Sequence, residues 1–170
     1  MATMLFLLLA AGAAPASAAP ASADAPQPFE DLSGCWRAPG AVLGKPVDGV
    51  ARGEWRLGKR YFMLQLSSFD EKQRYSAAIV YGSGGEEGTV NSYWMDTMGG
   101  AYSTPGRGTA RSGDISVDYH YPGSRYRNRF ARTADGWDWT IEETADGKPS
   151  RIFAHYRLTA IPCGRQAFAF

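Results

Sequence analysis

The chain has 170 residues, enough for one domain with a substantial core and too few for two ordinary domains plus an export segment. Lys and Arg total 18 against 17 Asp and Glu, and a net charge of +1 supplies no general attraction to nucleic acid or to an anionic membrane. Two cysteines and two histidines fall at spacings that match no zinc-ligand pattern, so no metal centre is expected.

Residues 1–18 read as an export signal. Met4-Leu5-Phe6-Leu7-Leu8-Leu9-Ala10 is an apolar run too short to span a bilayer core of about 30 Å, and small residues lead from it to the A-x-A cleavage pattern Ala16-Ser17-Ala18. A second such pattern is Ala21-Ser22-Ala23. No Lys or Arg precedes the run, so the α-amino group alone supplies its positive charge. Neither cysteine sits just after the signal in a lipoprotein-like setting, and the expectation is a soluble periplasmic or secreted protein with no integral membrane association. Residues 19–31, rich in Ala, Pro, Ser and Asp, read as a disordered leader, with one helical turn over Phe29-Glu30-Asp31-Leu32.

From Gly34 onward, short β-rich runs alternate with glycine-containing turns, and no stretch keeps a helical period. The expected strands are Gly34–Ala38, Val50–Leu57, Tyr61–Ser67, Arg74–Tyr81, Thr89–Thr97, Ala101–Thr104, Gly108–Ser112, Ile115–Tyr121, Ser124–Thr133, Trp137–Thr144 and Arg151–Leu158. Pro122-Gly123, Asp135-Gly136 and Asp146-Gly147 supply the backbone angles that tight hairpins need. About ten short strands in succession, joined by hairpins, predict an all-β fold: a single antiparallel up-and-down β-barrel, since closure removes the exposed edges of such a sheet. The barrel is assigned to residues 32–163, and residues 164–170 to a C-terminal tail.

Period-2 alternation assigns the faces. Ile115, Val117, Tyr119 and Tyr121 share one face; Tyr126, Asn128 and Phe130 follow, then Trp137, Trp139 and Ile141. Arg125, Arg127 and Arg129 are left facing outward, where Asp118, Asp138 and Glu142 offer opposite charge for cross-strand pairs, so the arginine ladder reads as a solvated face. On the last strand Ile152, Ala154, Tyr156 and Leu158 form the apolar set, which puts His155 with Phe153 and Arg157 on the other face.

Cys35 and Cys163 stand near the two ends of the barrel, and an oxidising compartment favours their pairing. A disulfide closing so long a loop contributes on the order of 4–5 kcal/mol in the chain-entropy model. Two free thiols, or a redox pair without a C-x-x-C motif, are the competing readings.

Gly34-Cys35-Trp36 on the first strand resembles the G-x-W signature of lipocalins and the wider calycin superfamily, in which the tryptophan plugs one barrel end and a late arginine packs over it; Arg157 stands at the matching late position. Leu57-Gly58-Lys59-Arg60-Tyr61-Phe62, Tyr93-Trp94-Met95-Asp96 and Tyr156-Arg157 are similar to an uncharacterised family of bacterial lipocalin-like domains, related in architecture to nitrobindins and fatty-acid-binding proteins. The resemblance covers Leu32 to Leu158 and implies an interior that holds a small apolar ligand. It carries over no catalytic residue. Nitrobindin-like barrels bind heme through a late-strand histidine, so heme on His155 is the alternative cofactor reading.

Hydrolase and phosphate motifs fail. Tyr81-Gly82-Ser83-Gly84-Gly85 lacks the first glycine of G-x-S-x-G, and no helix follows the glycine-rich loop at 82–88. Five Trp and nine Tyr remain as the main signal, suited to a packed core or to a cavity that stacks a flat ligand. The expected function is binding of a small hydrophobic, amphipathic or aromatic molecule in the barrel without catalysis, with Trp36, Tyr93, Trp94, Trp137, Trp139, Tyr156 and Arg157 as candidate contacts; a structural or interaction module with a filled core is the alternative.

Overall fold

A computed structural model describes residues 27–70 and 73–164; the expected signal, the leader up to residue 26 and the tail beyond 164 lie outside the described residues. The strands are β1 (Gly34–Arg37), β2 (Gly40–Val42), β3 (Lys45–Arg56), β4 (Tyr61–Phe69), β5 (Arg74–Ser83), β6 (Thr89–Asp96), β7 (Thr104–Arg111), β8 (Asp114–Tyr121), β9 (Ser124–Arg132), β10 (Gly136–Ala145) and β11 (Arg151–Ile161). Each pairs antiparallel with the next along the chain from β2 to β11, and β1 pairs with both β11 and β3, so the sheet closes into a barrel.

β1 and β2 occupy the same gap between β3 and β11 and keep one register against both neighbours, so they are two halves of a first strand interrupted at Ala38-Pro39. Proline has no N–H to give the ladder, which breaks the strand there. Backbone bonds from Ala38 to Gly49 (2.8 Å) and from Arg157 to Pro39 (2.9 Å) carry the pairing across the break.

One end of the barrel is closed by residues expected in the leader. Gln27–Leu32 form a 3-10 helix that seats Phe29 against Phe62 (ring centroids 5.1 Å apart) and Tyr81 (4.8 Å). Its carbonyls accept from the tryptophans beneath: Trp36 Nε1 donates to Leu32 at 3.0 Å and Trp137 Nε1 to Asp31 at 3.2 Å. Gly53 is required under this plug, because a Cβ there would overlap the Leu32 carbonyl and the Phe62 ring.

The alternation expected for β8, β9 and β10 holds. Ile115, Val117, Tyr119, Asn128, Phe130, Trp137, Trp139 and Ile141 are buried. Outside, Arg127 pairs with Asp118 and Arg129 with Asp114, each at 2.9 Å, as cross-strand ion pairs of a solvated face. Cys35 and Cys163 form a disulfide with Cα atoms 5.3 Å apart, at the plugged end.

Three local expectations are corrected. Ala101–Thr104 is not a strand: Gly100–Tyr102 form a 3-10 turn, and β7 runs unbroken from Thr104 through Pro105 and Gly106. Glycine at 108 marks close strand approach, since a Cβ would overlap the Ser116 carbonyl. On β11 a bulge places Ile141 opposite Ala154 and Glu142 opposite Ile152, with Phe153 extra. The bulge reverses the alternation beyond it, so Phe153 packs against the core and Ile152 is 56% exposed.

Candidate functional site

Up-and-down connectivity puts the β3–β4, β5–β6, β7–β8 and β9–β10 turns at the plugged end and the other turns at the opposite end. Apart from Trp55, half-buried beside Phe62 at the plugged end, inward side chains are buried from the plug up to Trp94 and Tyr156, where the lining changes character. Beyond them Val42, Val47, Tyr75, Tyr121, Tyr126 and Phe153 point inward but are only half-buried. These six form a mouth. The turns around it carry Leu43, Phe69, Met98 and Tyr102 as exposed apolar side chains.

Asp96, the last residue of β6, stands opposite inward-facing Ala77 and so enters this mouth from the inner face. Its Oδ2 accepts from Tyr75 Oη at 2.8 Å and Trp94 Nε1 at 3.0 Å, and its Oδ1 from the Met98 N–H at 2.8 Å. The same carboxylate thus anchors two rings of the wall and the start of the β6–β7 loop. Tyr121 Oη donates to the Tyr102 carbonyl at 2.9 Å and fixes the far end of that loop. Tyr126 packs edge-on to Tyr121 (5.5 Å) and Phe153 (5.3 Å), and its hydroxyl donates to Glu143 at 2.9 Å. Glu143 in turn pairs with Arg151.

Burial pushes the Tyr75 hydroxyl far up, and the Asp96 charge pushes it further; the Tyr121 hydroxyl is pushed up to about 12, by desolvation first and Asp96 next. Deeper, burial raises Tyr81, Tyr119 and Tyr156 as well. Ser92 Oγ donates to Tyr119 Oη at 2.7 Å in this layer. Above pH 10 an unfolded tyrosine releases its proton while these buried ones retain theirs, so the folded chain binds more protons and stability falls as pH rises. Stability is therefore expected to be flat with respect to these groups below about pH 9 and to decline above about pH 10, by up to roughly 1.4 kcal/mol per pH unit for each of Tyr75, Tyr81, Tyr119 and Tyr156. Tyrosinate absorbance at 295 nm and near-ultraviolet circular dichroism should move together in alkali; full ionisation of all nine tyrosines in a still-native barrel would refute this.

The candidates read from sequence divide into three groups. Trp94 and Tyr156 line the base of the mouth, buried at its inner edge. Trp36 and Trp137 belong to the plugged end, and Trp139 fills the middle, stacked on Phe130 at 4.8 Å and bonded to Asn128 at 3.0 Å. Tyr93 and Arg157 are outside. Tyr93 is 44% exposed because it alternates with Trp94, and Arg157 has a 71% exposed side chain 3.5 Å from Asp138. Arg157 therefore does not cover Trp36; among the described residues Arg132 stacks on a tryptophan, 5.3 Å from the Trp137 ring.

His155 also stands on the outer face, opposite Thr140, with Nε2 3.5 Å from Asp138. His120 is exposed on its own strand, so neither histidine offers the barrel interior an axial ligand. Among the described residues no group of three or more His, Cys, Asp or Glu is placed to hold a metal ion. Two surface depressions, of about 270 and 340 Å³, lie under the β9–β10 turn and beside the β10–β11 turn; the second borders the mouth at Glu143.

Tyr75, Asp96, Tyr121, Tyr126 and Phe153 are not among the candidate contacts read from sequence, although Tyr121 and Tyr126 were assigned to the inner face. For Asp96 the signal was available: an acidic residue in phase with Val90, Ser92 and Trp94, and so on the inner face of its strand. No protein-family model matches the chain, and no curated protein is significantly similar to it.

Proposed function

We propose that this is an exported, lipocalin-like barrel of the calycin type that binds a small amphipathic molecule at its open mouth, without transforming it. The carrying observation is the change in the inward lining from buried side chains to the half-buried ring of Val42, Val47, Tyr75, Tyr121, Tyr126 and Phe153. A ligand there removes apolar area from water, while hydroxyls and a carboxylate fix its polar part. The Cys35–Cys163 bond supports a periplasmic or secreted location, since disulfides persist in oxidising compartments.

The binding place differs from the deep cavity expected of such barrels. Trp139 sits in ring contact with Trp94, Phe130 and Tyr156, so the central space is taken by side chains. That packing favours, as a second reading, an interaction module with a filled core. Titration with the neutral fluorophore N-phenyl-1-naphthylamine separates the two. The binding reading expects saturable enhancement that falls about tenfold or more in affinity in Tyr121→Ala/Phe153→Ala and stays unchanged in Tyr93→Ala, a tenfold loss being about 1.4 kcal/mol. No saturable binding would favour the filled-core module.

A further inference from the structure

We propose that the mouth selects an organic cation, an ammonium group carried on an apolar body, with Asp96 as its counter-charge and the rings of Tyr75, Trp94 and Tyr121 as its walls. This rests on the binding reading above and names the chemistry of the ligand. Charge accounting carries it. On the sheet, Asp48, Asp114 and Asp118 each meet an arginine, and in the same mouth Glu143 meets Arg151. Asp96 differs: its three donors are the Tyr75 hydroxyl, the Trp94 indole and the Met98 amide, all neutral, and no Lys, Arg or His among the described residues pairs with it.

Neutral donors orient a carboxylate without offsetting a charge on it. Half-buried in a ring of aromatic side chains, that charge is screened less than one in open water and attracts a counter-ion. Asp96 bonds the Tyr75 hydroxyl of β5 directly, and Tyr121 of β8 lines the same mouth. Aromatic faces add to the preference, because the ring quadrupole attracts a cation and gives an anion no such gain. An anionic ligand would face Asp96, whose charge no neighbouring cation offsets. A neutral one would leave Asp96 uncompensated.

Three probes sharing one indole ring test the inference: tryptamine (cationic), tryptophol (neutral) and indole-3-acetate (anionic), titrated calorimetrically into the folded chain. Tryptamine is expected to bind about tenfold tighter than tryptophol, a difference of about 1.4 kcal/mol, with indole-3-acetate weakest. In Asp96→Asn the tryptamine preference should fall below about threefold while tryptophol affinity is kept, as expected when one ion pair and its cation–π share are lost. Equal affinities in the wild type, or a preference that survives Asp96→Asn, would overturn the cation inference. Should Asp96→Asn fail to fold, the wild type decides alone: raising salt from 50 to 500 mM must weaken tryptamine and spare tryptophol, and a salt-independent preference would overturn the proposal. The naphthylamine titration keeps the two readings apart. If it binds at the mouth and tryptamine does not, only the cation inference fails; if neither binds, the binding reading falls as well.

Discussion

Replacing Trp139 by alanine is expected to lower the unfolding free energy by about 3–5 kcal/mol, the usual range for emptying a buried aromatic site. Trp139 lies within ring contact of Trp94 (6.2 Å), Phe130 (4.8 Å) and Tyr156 (5.2 Å), so its removal opens a void at the level where three strands' inward side chains meet. Its indole N–H also satisfies Asn128 Oδ1, in a residue that is 2% exposed. Leaving that oxygen unpaired adds about 1–3 kcal/mol, which puts the variant at the upper end of the range. Trp139→Phe keeps most of the volume and loses the bond, so it should fall between wild type and alanine. Urea titrations of the three proteins provide the check. A Trp139→Ala loss under about 1.5 kcal/mol would mean that the neighbours collapse into the space, or that the middle of the barrel is less closely packed than its rings imply.

The second large effect lies in the disulfide. Cys35 and Cys163 are 128 residues apart and fasten β1 to the segment just past β11, the two strands whose pairing closes the cylinder. The chain-entropy model assigns so long a loop about 5 kcal/mol, and removal of native bonds of this kind from small domains typically costs about 2–5 kcal/mol. Cys35→Ala/Cys163→Ala should therefore unfold at a clearly lower urea concentration. Reductant should bring the wild type down to the same midpoint and leave the double variant where it was. A wild type whose midpoint ignores reductant would show that the barrel holds its seam by pairing alone.

How far the fold was legible follows from the same physics. Strict alternation in Ile115-Ser116-Val117-Asp118-Tyr119 and Trp137-Asp138-Trp139-Thr140-Ile141 could only describe strands with one face in a core, and both assignments match the structure. Alternation fails where the backbone departs from a regular ladder. The bulge at Phe153 shifts parity by one residue, so Ile152 and Phe153 exchange faces, and nothing in their chemistry marks the shift. Gly106 and Gly108 look like strand breakers in one dimension, but in the folded sheet they admit the Tyr119 ring and the Ser116 backbone. The helical turn before the first strand was legible, but its role as a plug was not, because Pro28, Glu30 and Asp31 put residues up to 31 in the leader and mask the buried anchor Phe29.

The candidate site was less legible for a related reason. Aromatic count pointed to tryptophans, and three of the five, Trp36, Trp137 and Trp139, serve as packing at different depths. What separates a binding ring from a packed one is its position along the barrel axis, which emerges only when β4–β5, β6–β7, β8–β9 and β10–β11 turns gather at one end. Asp96 illustrates this. In sequence it is an acid before a turn, and in the barrel it is the inward charge that three neutral donors hold in place.

The split first strand sets an order of events during synthesis. Its two halves emerge before any other strand yet need β3 on one flank and β11 on the other. Closure must wait until the ribosome has delivered β11, and until then the nascent barrel presents an open, unpaired edge. A translocation channel that accepts only unfolded polypeptide would find this chain still threadable late in its production.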